Sequence, residues 1–268
     1  MTVGLLHPGE IGAAIGAALR ARGKTVLWTS TGRSPATAER AKEAGLEDVG
    51  TIAELGRRSD VILSLCPPHA AVDVARSLTR FAGIYVDANA VSPATARTIA
   101  GLVGRYVDGG VIGSPPRKPG TARLYLSGAE ATRVAGLFAG TIVDALVVSE
   151  DPDAASALKM AYAAWTKGTS ALLLAVRAVA RTEEVEEALL QEWRTSLPHP
   201  NSPSQPPAPR SARVGASEMN EIAETFAAAG LPDGFHRAAA EIYRRSPHED
   251  ADGDESLERV LSALGRKV

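Results

Sequence analysis

Near its N-terminus the chain reads Val3-Gly4-Leu5-Leu6-His7-Pro8-Gly9-Glu10-Ile11-Gly12, and a helical run of small residues follows. An apolar run, a tight turn and a helix in this order bring unpaired N–H groups and a positive helix end to the end of a buried strand. Gly9 would let the backbone approach a pyrophosphate and Gly12 would let the helix pack close to the strand, although His7 replaces the first glycine of the G-x-G-x-x-G pattern. The stretch alone fits either a dinucleotide-binding turn or an ordinary turn between a strand and a helix.

Apolar runs alternate with helical segments over the first half of the chain. We expect strands at residues 2–6, 24–28, 60–65, 84–87, 106–112, 122–127 and 142–148. A helix is expected after Pro68, to about residue 81. The alternation predicts an α/β domain with a parallel, doubly wound sheet in residues 1–150, to which the later strands add an antiparallel edge.

The pattern changes after residue 150. Asp151 and Pro152 are the residue types of a helix N-cap and a first helical position, and a long helix is expected from there to about residue 180. Further helices are expected at 183–194, 216–229 and 232–245. Residues 196–209 contain six prolines and are expected to form a loop. Residues 151–268 are therefore predicted to form an all-α domain.

Composition argues against several classes of protein. The formal net charge is −2, which gives no reason to expect a polyanionic partner such as nucleic acid. Cys66 is the single cysteine, so an internal disulfide is excluded, and the five histidines show no metal-ligand spacing. Neither a signal peptide nor an apolar run of membrane-spanning length is visible. We therefore expect a cytoplasmic protein with no metal, membrane or nucleic-acid partner.

The second strand ends in a polar segment without an acid. Sites that bind NAD place an Asp or Glu here to hold the ribose 2′-hydroxyl, whereas this chain has Thr29-Ser30-Thr31-Gly32-Arg33-Ser34. Hydroxyl groups and the guanidinium fork of Arg33 suit a 2′-phosphate. If a dinucleotide binds, the segment favours NADP(H) over NAD. The alternative is a polar loop in which Ser34 caps the next helix.

Two further segments follow strands, at the edge where open α/β sheets bind ligands. In residues 87–93, Asn89 is a candidate to bind a substrate carboxylate or the carboxamide of a nicotinamide. In residues 108–114, Gly110 and Gly113 would let the backbone approach a ligand closely. Ordinary turn chemistry is the alternative for each of these residues.

Lys159 lies on the long predicted helix among small and apolar residues. Such surroundings desolvate an ammonium group and lower its pKa, which makes it usable as a general acid or base. Tyr162 shares the face of Lys159, and Thr166 continues that face. The alternative is a lysine at a helix edge whose apolar stem is buried while its charge reaches water.

Together these stretches resemble the β-hydroxyacid dehydrogenase / 6-phosphogluconate dehydrogenase-like family. The family's glycine turn corresponds to residues 7–12, its D-x-S-T-x-x-P motif to 87–93, and its D-A-P-V-S-G-G motif loosely to 108–114. Gly120-Thr121-Ala122 corresponds to its G-T-L stretch, and the family's catalytic lysine falls on Lys159. The segments ASALKMAYAAWTKGTSALLLA and EMNEIAETFAAAGLPDGFHRAA resemble an uncharacterised helical C-terminal (DUF1932-like) domain found in a subgroup.

The resemblance implies a Rossmann-type α/β domain followed by an all-α domain, with an active site between them. It also implies NADP(H) use, hydride transfer and a homodimer built through the C-terminal helices. The chain departs from the family at His7, at Asn89 and Ala90 in the substrate motif, and at Ala163, where the family has asparagine. The substrate therefore does not carry over from the family.

These observations predict an NADP(H)-dependent dehydrogenase or reductase acting on a small hydroxy acid or related carbonyl compound. Lys159 is the predicted catalytic residue. The predicted cofactor-binding residues are His7, Pro8, Gly9, Glu10, Ile11, Gly12, Thr29, Ser30, Thr31, Arg33, Ser34, Cys66, Pro67 and Asn89. The predicted substrate residues are Asn89, Gly110, Gly113, Tyr162, Thr166, Met219 and His236, with core packing as the alternative for His236. The alternative functions are an imine reductase with the same cofactor, in which Tyr162 supplies the proton, and a non-catalytic NADPH-binding protein.

Overall fold

The computed structural model describes residues 1–196, 212–246 and 257–264. The chain forms two compact units, Met1–Met160 and Ala161–Val268, which are described separately below. The units divide inside the long helix, whereas the predicted domains divide before it, so the boundary at residue 150 stays a prediction. The predicted proline-rich loop lies, from residue 197 on, outside the described residues.

The first unit is built on one eight-stranded sheet. Its strands are β1 (Thr2–Leu6), β2 (Thr25–Trp28), β3 (Glu47–Asp48), β4 (Val61–Ser64), β5 (Ile84–Asp87), β6 (Tyr106–Gly113), β7 (Ala122–Ser127) and β8 (Asp144–Ser149). Their order across the sheet is β3-β2-β1-β4-β5-β6-β7-β8. All neighbours are parallel except β6 and β7, which confirms the predicted parallel sheet with an antiparallel addition.

Helices cover both faces of this sheet. They are α1 (Glu10–Arg20), α2 (Pro35–Glu43), α3 (Ile52–Arg58), α4 (Ala71–Arg76), α5 (Pro93–Ala100) and α6 (Ala131–Ala135), with 3-10 turns at Pro68–Ala70 and Gly136–Phe138. Val3 and Leu5 of β1 belong to the core under α1, whereas Leu6 belongs to the core on the opposite face. This alternation is the two-residue period of a strand that is buried on both sides.

The helix expected to run from Pro68 to about residue 81 is shorter than predicted. A 3-10 turn precedes α4, and α4 ends at Arg76. The hydroxyl of Ser77 donates to the carbonyl oxygen of Val74 (2.6 Å), and the amide of Leu78 donates to Ala75 (2.9 Å). These bonds join residues three apart in place of the four of an α-helix. Serine hydroxyls often compete with the backbone in this way at helix ends.

The second unit is helical. The structure has helices α7 (Ala154–Thr182), which begins in the first unit, α8 (Glu186–Ser196), α9 (Ala212–Ala228), α10 (Gly234–Arg245) and α11 (Leu257–Leu264). Lys167 of α7 forms an ion pair with the buried Glu218 of α9, and the Tyr243 hydroxyl of α10 donates to the Lys167 carbonyl (2.9 Å). None of the described helices has the length and apolarity needed to cross a membrane.

Candidate functional site

The carboxyl ends of parallel strands β1, β4, β5 and β6 meet at one edge of the sheet, because each strand is in register with its neighbour. Ligands of open α/β sheets bind at this edge. β6 extends beyond β5, since the pairing of the two strands ends at Asp87 and Asp108. Residues 109–113 of β6 therefore pair with β7 alone. The predicted site residues that follow these strands share this edge within the first unit.

The turn after β1 is compact and leaves open space in front of it. The Gly9 amide donates to the His7 carbonyl (2.7 Å), and the Ala13 amide donates to Gly9 (2.8 Å). A Cβ atom built at Gly12 would lie 2.8 Å from the His7 carbonyl oxygen, so only glycine fits there. A Cβ atom at Gly9 would meet no atom within 4 Å. The space beside Gly9 at the N-terminus of α1 is therefore open, and a helix N-terminus with free space beside it suits a phosphate.

His7 adopts a left-handed backbone conformation, with φ of 63°. This conformation is strained for a residue with a side chain, and such residues are found in tight turns and at ligand-binding sites. Its imidazole Nδ1 is buried without a hydrogen-bond partner among the described residues. Burial and, secondarily, the Arg33 guanidinium lower the pKa of His7 to about 4. The imidazole is therefore neutral at pH 7.

The segment after β2 is held mainly by hydrogen bonds to β3 and the residues that follow it. The hydroxyls of Thr29 and Thr31 both donate to the Gly50 carbonyl, at 2.6 and 2.7 Å. Ser34 caps α2 by accepting from the Thr37 amide. Arg33 is half-buried, and its Nε has no partner among the described residues. The Thr29 and Thr31 hydroxyls are thus engaged within the protein as donors, and Arg33 is the cation of this segment.

Two residues that sequence reasoning missed lie beside this segment. Asp48, opposite Trp28 in the sheet, accepts from the amides of Ser30 (3.2 Å) and Gly50 (2.8 Å). Burial raises the pKa of Asp48, but hydrogen bonds from Ser30 and Gly50 outweigh it and hold this pKa below its usual value. An acid therefore lies near the end of β2, although it belongs to β3.

Arg40 is the second missed residue, and it lies on α2. Its Nε donates to the Pro8 carbonyl (3.4 Å), and its Nη2 donates to the Thr37 hydroxyl (3.2 Å). The guanidinium thus reaches back to the turn after β1. No local sequence pattern could predict the contact between Arg40 and Pro8, because 32 residues separate them.

Asn89 connects the ends of β4 and β5. Its Oδ1 accepts from the Cys66 amide (2.6 Å), and its Nδ2 donates to the Ser64 hydroxyl (3.2 Å) and to Asp87. Both amide hydrogens are therefore used internally. Contact between Asn89 and a cofactor or substrate stays a prediction, and fixing the two loops is a role that the sequence did not reveal.

Cys66 and Pro67 follow β4 at the same edge. Cys66 is buried, and burial raises the pKa of its thiol to about 12, so it is a poor nucleophile at neutral pH. Pro67 is exposed. Their contact with a cofactor stays a prediction.

Asp108 anchors the start of α7. Its carboxylate accepts from the Ser156 amide (2.7 Å) and hydroxyl (2.6 Å) and from the Ser127 hydroxyl (3.3 Å). The Ala155 amide donates to the Ser127 hydroxyl (3.0 Å). Burial raises the pKa of Asp108 to about 6, although the hydrogen bonds from Ser156 and Ser127 act against this rise. The buried carboxylate and the Ser127 hydroxyl thus satisfy the Ser156 and Ala155 amides in the first turn of α7.

This anchor places Lys159 beside β6. A Cβ atom built at Gly110 would lie 3.0 Å from the Lys159 Cβ and 3.1 Å from the Ala155 carbonyl oxygen, so α7 and β6 are in close contact. Gly113 ends β6 with φ of 120°, opposite Ala122. Lys159 and Gly110 are therefore together where β6 extends beyond β5.

The other predicted substrate residues belong to the second unit. Tyr162 is exposed on α7, and the Thr166 hydroxyl donates to the Tyr162 carbonyl (3.1 Å). Met219 is fully buried. His236 is 4% exposed and packs edge-on against Phe226 and Phe235. Packing accounts for Met219 and His236, and contact of any of the four with a substrate stays a prediction.

Comparison with protein families and curated proteins identifies relatives of this chain. Residues 180–246 match the family model described as a domain of unknown function, DUF1932. An uncharacterized 28.5 kDa protein in the 7S RNA 5′ region of Methanothermus fervidus is 30% identical over 195 residues. The match covers 71% of this chain and 75% of that protein.

Solved structures share the fold over nearly the whole chain. A conserved protein of unknown function, reported to be structurally similar to 3-hydroxyacid dehydrogenases, is 27% identical with a TM-score of 0.65, covering 98% of this chain and 99% of that chain. The 3-hydroxyisobutyrate dehydrogenase of Mycobacterium tuberculosis is 17% identical with a TM-score of 0.71, covering 98% of both chains. A reductive aminase from Aspergillus terreus in complex with NADPH is 18% identical with a TM-score of 0.57, covering 96% of this chain and 97% of that chain.

Proposed function

The chain belongs to the β-hydroxyacid dehydrogenase-like family, in the subgroup that carries the DUF1932 domain, and from this premise we propose that it is an NADP(H)-dependent oxidoreductase. Its substrate would be a small hydroxy acid or a related carbonyl compound. One observation carries the proposal. The open turn at Gly9 and the lysine beside Gly110 lie at the same edge of one sheet.

The residues at this edge fit a dinucleotide. The space beside Gly9 at the N-terminus of α1 is open, and the unpaired amides of a helix N-terminus suit a pyrophosphate. The buried and unpartnered Nε of Arg33 and Nδ1 of His7 are polar atoms that a ligand could satisfy. Among the described residues, no ion pair engages Arg33. These features support a phosphate-bearing cofactor, and the reductive aminase related in fold was solved with NADPH.

We propose Lys159 as the general acid or base. When bound, the nicotinamide would supply or accept a hydride. Lys159 would pass the proton to or from the substrate oxygen, a contribution of about 10²–10⁴-fold to the rate. The backbone of Gly110 and Gly113 would border a substrate carboxylate, because neither residue carries a side chain that blocks its approach. Asn89 would keep the two loops after β4 and β5 in place through its bonds to Cys66 and Ser64.

The proposal is tested by removing the lysine. Lys159→Met keeps the apolar stem and is expected to lower NADP⁺-dependent oxidation of small hydroxy acids by about 10²–10⁴-fold. The dissociation constant of NADPH is expected to stay within about twofold, since the phosphate-binding turn is untouched. Steady-state absorbance and fluorescence titration measure the two quantities. Lys42→Met, which removes an exposed lysine of α2, is the control, and full activity of Lys159→Met would refute the assignment.

An imine reductase is the second candidate. The exposed Tyr162 lies one turn after Lys159 on α7, and its hydroxyl is a possible proton donor to a C=N bond. Reduction of a cyclic imine without any activity on hydroxy acids would favour this candidate. Tight NADPH binding without turnover of either substrate class would indicate a non-catalytic binding protein.

We also propose that the chain is a homodimer joined through α7. Large apolar side chains are exposed along one face of this helix, which we call the α7 stripe: Tyr162, Trp165, Leu172, Val176 and Val179. Trp165 is 75% exposed and Val179 is 64% exposed. Contiguous apolar surface of this kind marks an interaction site more often than free surface.

A further inference from the structure

Two arginines flank the turn after β1 without a counter-ion. Arg33 follows β2, and Arg40 lies on α2. In the part of the chain that the structure describes, neither forms an ion pair, although the chain has 31 acidic residues against 29 lysines and arginines. Both side chains are partly buried. A partly buried cation without a counter-ion is stabilised when an anion binds beside it.

The position of Arg40 is fixed by two hydrogen bonds. Nε donates to the Pro8 carbonyl and Nη2 to the Thr37 hydroxyl, at 3.4 and 3.2 Å. Thr37 is itself fixed by the Ser34 cap, whose Oγ lies 3.0 Å from the Thr37 hydroxyl. No other hydrogen bond of this guanidinium is formed with the described residues, so its remaining hydrogens, including both on Nη1, can bind a ligand. The side chain is thus pre-positioned beside the turn, which lowers the entropy cost of binding.

The neighbouring groups favour an anion with more charge than a pyrophosphate alone. In the proposed function the amides of α1 would bind a pyrophosphate, so two further guanidiniums indicate an additional phosphate. The nearby acid, Asp48, has Oδ1 engaged by Ser30 and Gly50. The imidazole of His7 is neutral, with a pKa of about 4, so it adds no third charge to the cluster.

We infer that Arg40 is a specificity-determining residue, which binds the 2′-phosphate of the dinucleotide together with Arg33. The inference rests on the proposed function, because its ligand is the proposed cofactor. Two guanidiniums form charge-assisted bonds to the phosphate oxygens, and a 2′-hydroxyl cannot replace that interaction. Arg40 therefore contributes to the choice of NADPH over NADH and leaves the chemistry of the reaction untouched.

The test is a set of binding titrations. Arg40→Met retains an apolar stem and removes the charge, and it is expected to weaken NADPH binding by about 10- to 100-fold. NADH affinity is expected to change by less than about twofold. Arg33→Met is expected to behave in the same way, and Arg40→Lys, which keeps the charge without the fork, is expected to fall between Arg40→Met and wild type. Lys42→Met, on the same helix with the same change of charge, is the matched control.

A second set of probes separates the phosphates. Adenosine 2′,5′-bisphosphate is expected to lose affinity for Arg40→Met, whereas 5′-AMP is expected to bind it as it binds wild type. Equal losses for NADPH and NADH would overturn the inference, because they would place Arg40 at the pyrophosphate or in a structural role. Unchanged NADPH binding in Arg40→Met would overturn the inference about Arg40 but leave the proposed function standing. If wild type binds neither dinucleotide, the proposed function fails and the inference fails with it.

Discussion

Asp108 is a buried carboxylate on which the first turn of α7 depends. It accepts the Ser156 amide and hydroxyl, and it holds the helix that carries Lys159. Its burial raises its pKa, so the free energy of unfolding must depend on pH through this residue. Neither the pairing nor the shift could be predicted from the sequence, because Asp108 and Ser156 are separated by 48 residues.

We expect the stability of the Asp108→Asn variant to depend on pH differently from that of wild type. The pKa of Asp108 is raised from 3.8 to about 6 in the folded chain. Between these pH values the folded protein binds a proton that the unfolded chain has released, so this residue stabilises the fold at low pH. That stabilisation, up to about 3 kcal/mol, is lost as the pH rises through 6. Urea unfolding from pH 4 to pH 7 should therefore show the variant gaining stability relative to wild type as the pH rises.

The two proteins must be compared by how their free energy of unfolding changes with pH, because its value at a single pH is not informative. Asparagine has an NH₂ group where Asp108 accepts a bond, which costs stability at every pH. His7, with its pKa lowered to about 4, has the opposite pH dependence in this range, but it contributes equally to both proteins. Asp73→Asn, a change at an exposed carboxylate of α4, is the control. A difference between Asp108→Asn and wild type that is constant with pH would contradict the prediction.

At the scale of elements, α7 and β6 approach each other closely at Gly110. A methyl group there would lie 3.0 Å from the Lys159 Cβ and 3.1 Å from the Ala155 carbonyl oxygen, which is closer than ordinary contact. Gly110→Ala should therefore displace α7 and lower the free energy of unfolding by about 1–3 kcal/mol. Since the displaced segment carries Lys159, turnover should fall while NADPH affinity stays the same.

Gly104→Ala is the matched control for this change. A Cβ atom at Gly104 would meet no atom within 4 Å, so stability should be close to that of wild type. Urea unfolding and steady-state kinetics of the two variants measure the effects. If Gly110→Ala were as stable and active as Gly104→Ala, the close contact would have no energetic consequence.

Sequence patterns predicted the elements well where burial decides them. β1 and β5 have the predicted bounds, because their apolar runs are covered on both faces. α4 ends earlier than predicted, since the Ser77 hydroxyl bonds to the Val74 carbonyl and the sequence does not show which serines do so. The candidate site follows the same rule. His7 and Asn89 could be proposed from their positions after strands, whereas Arg40 and Asp48 depend on contacts between distant segments.

At the scale of the whole molecule, the α7 stripe predicts the state of assembly. Trp165, Leu172, Val176 and Val179 follow one another at intervals of seven, four and three residues, and such residues share one face of a helix. The wild-type protein is therefore expected to have twice the chain mass in solution. Sedimentation equilibrium measures this mass and its dependence on concentration.

Charge placed in the α7 stripe should separate the two copies. Leu172 is 50% exposed and Val179 is 64% exposed in a single chain, so glutamate at either position can be solvated in the monomer. In a dimer the same carboxylate would be buried without a partner, and the dissociation constant should rise by about 30- to 1,000-fold. Val185→Glu introduces the same group at a 51% exposed valine outside the stripe and should leave the dimer intact. A monomeric wild type would show that no surface joins two copies. If Leu172→Glu and Val179→Glu had the dimer dissociation constant of wild type, a surface other than the α7 stripe would join the copies.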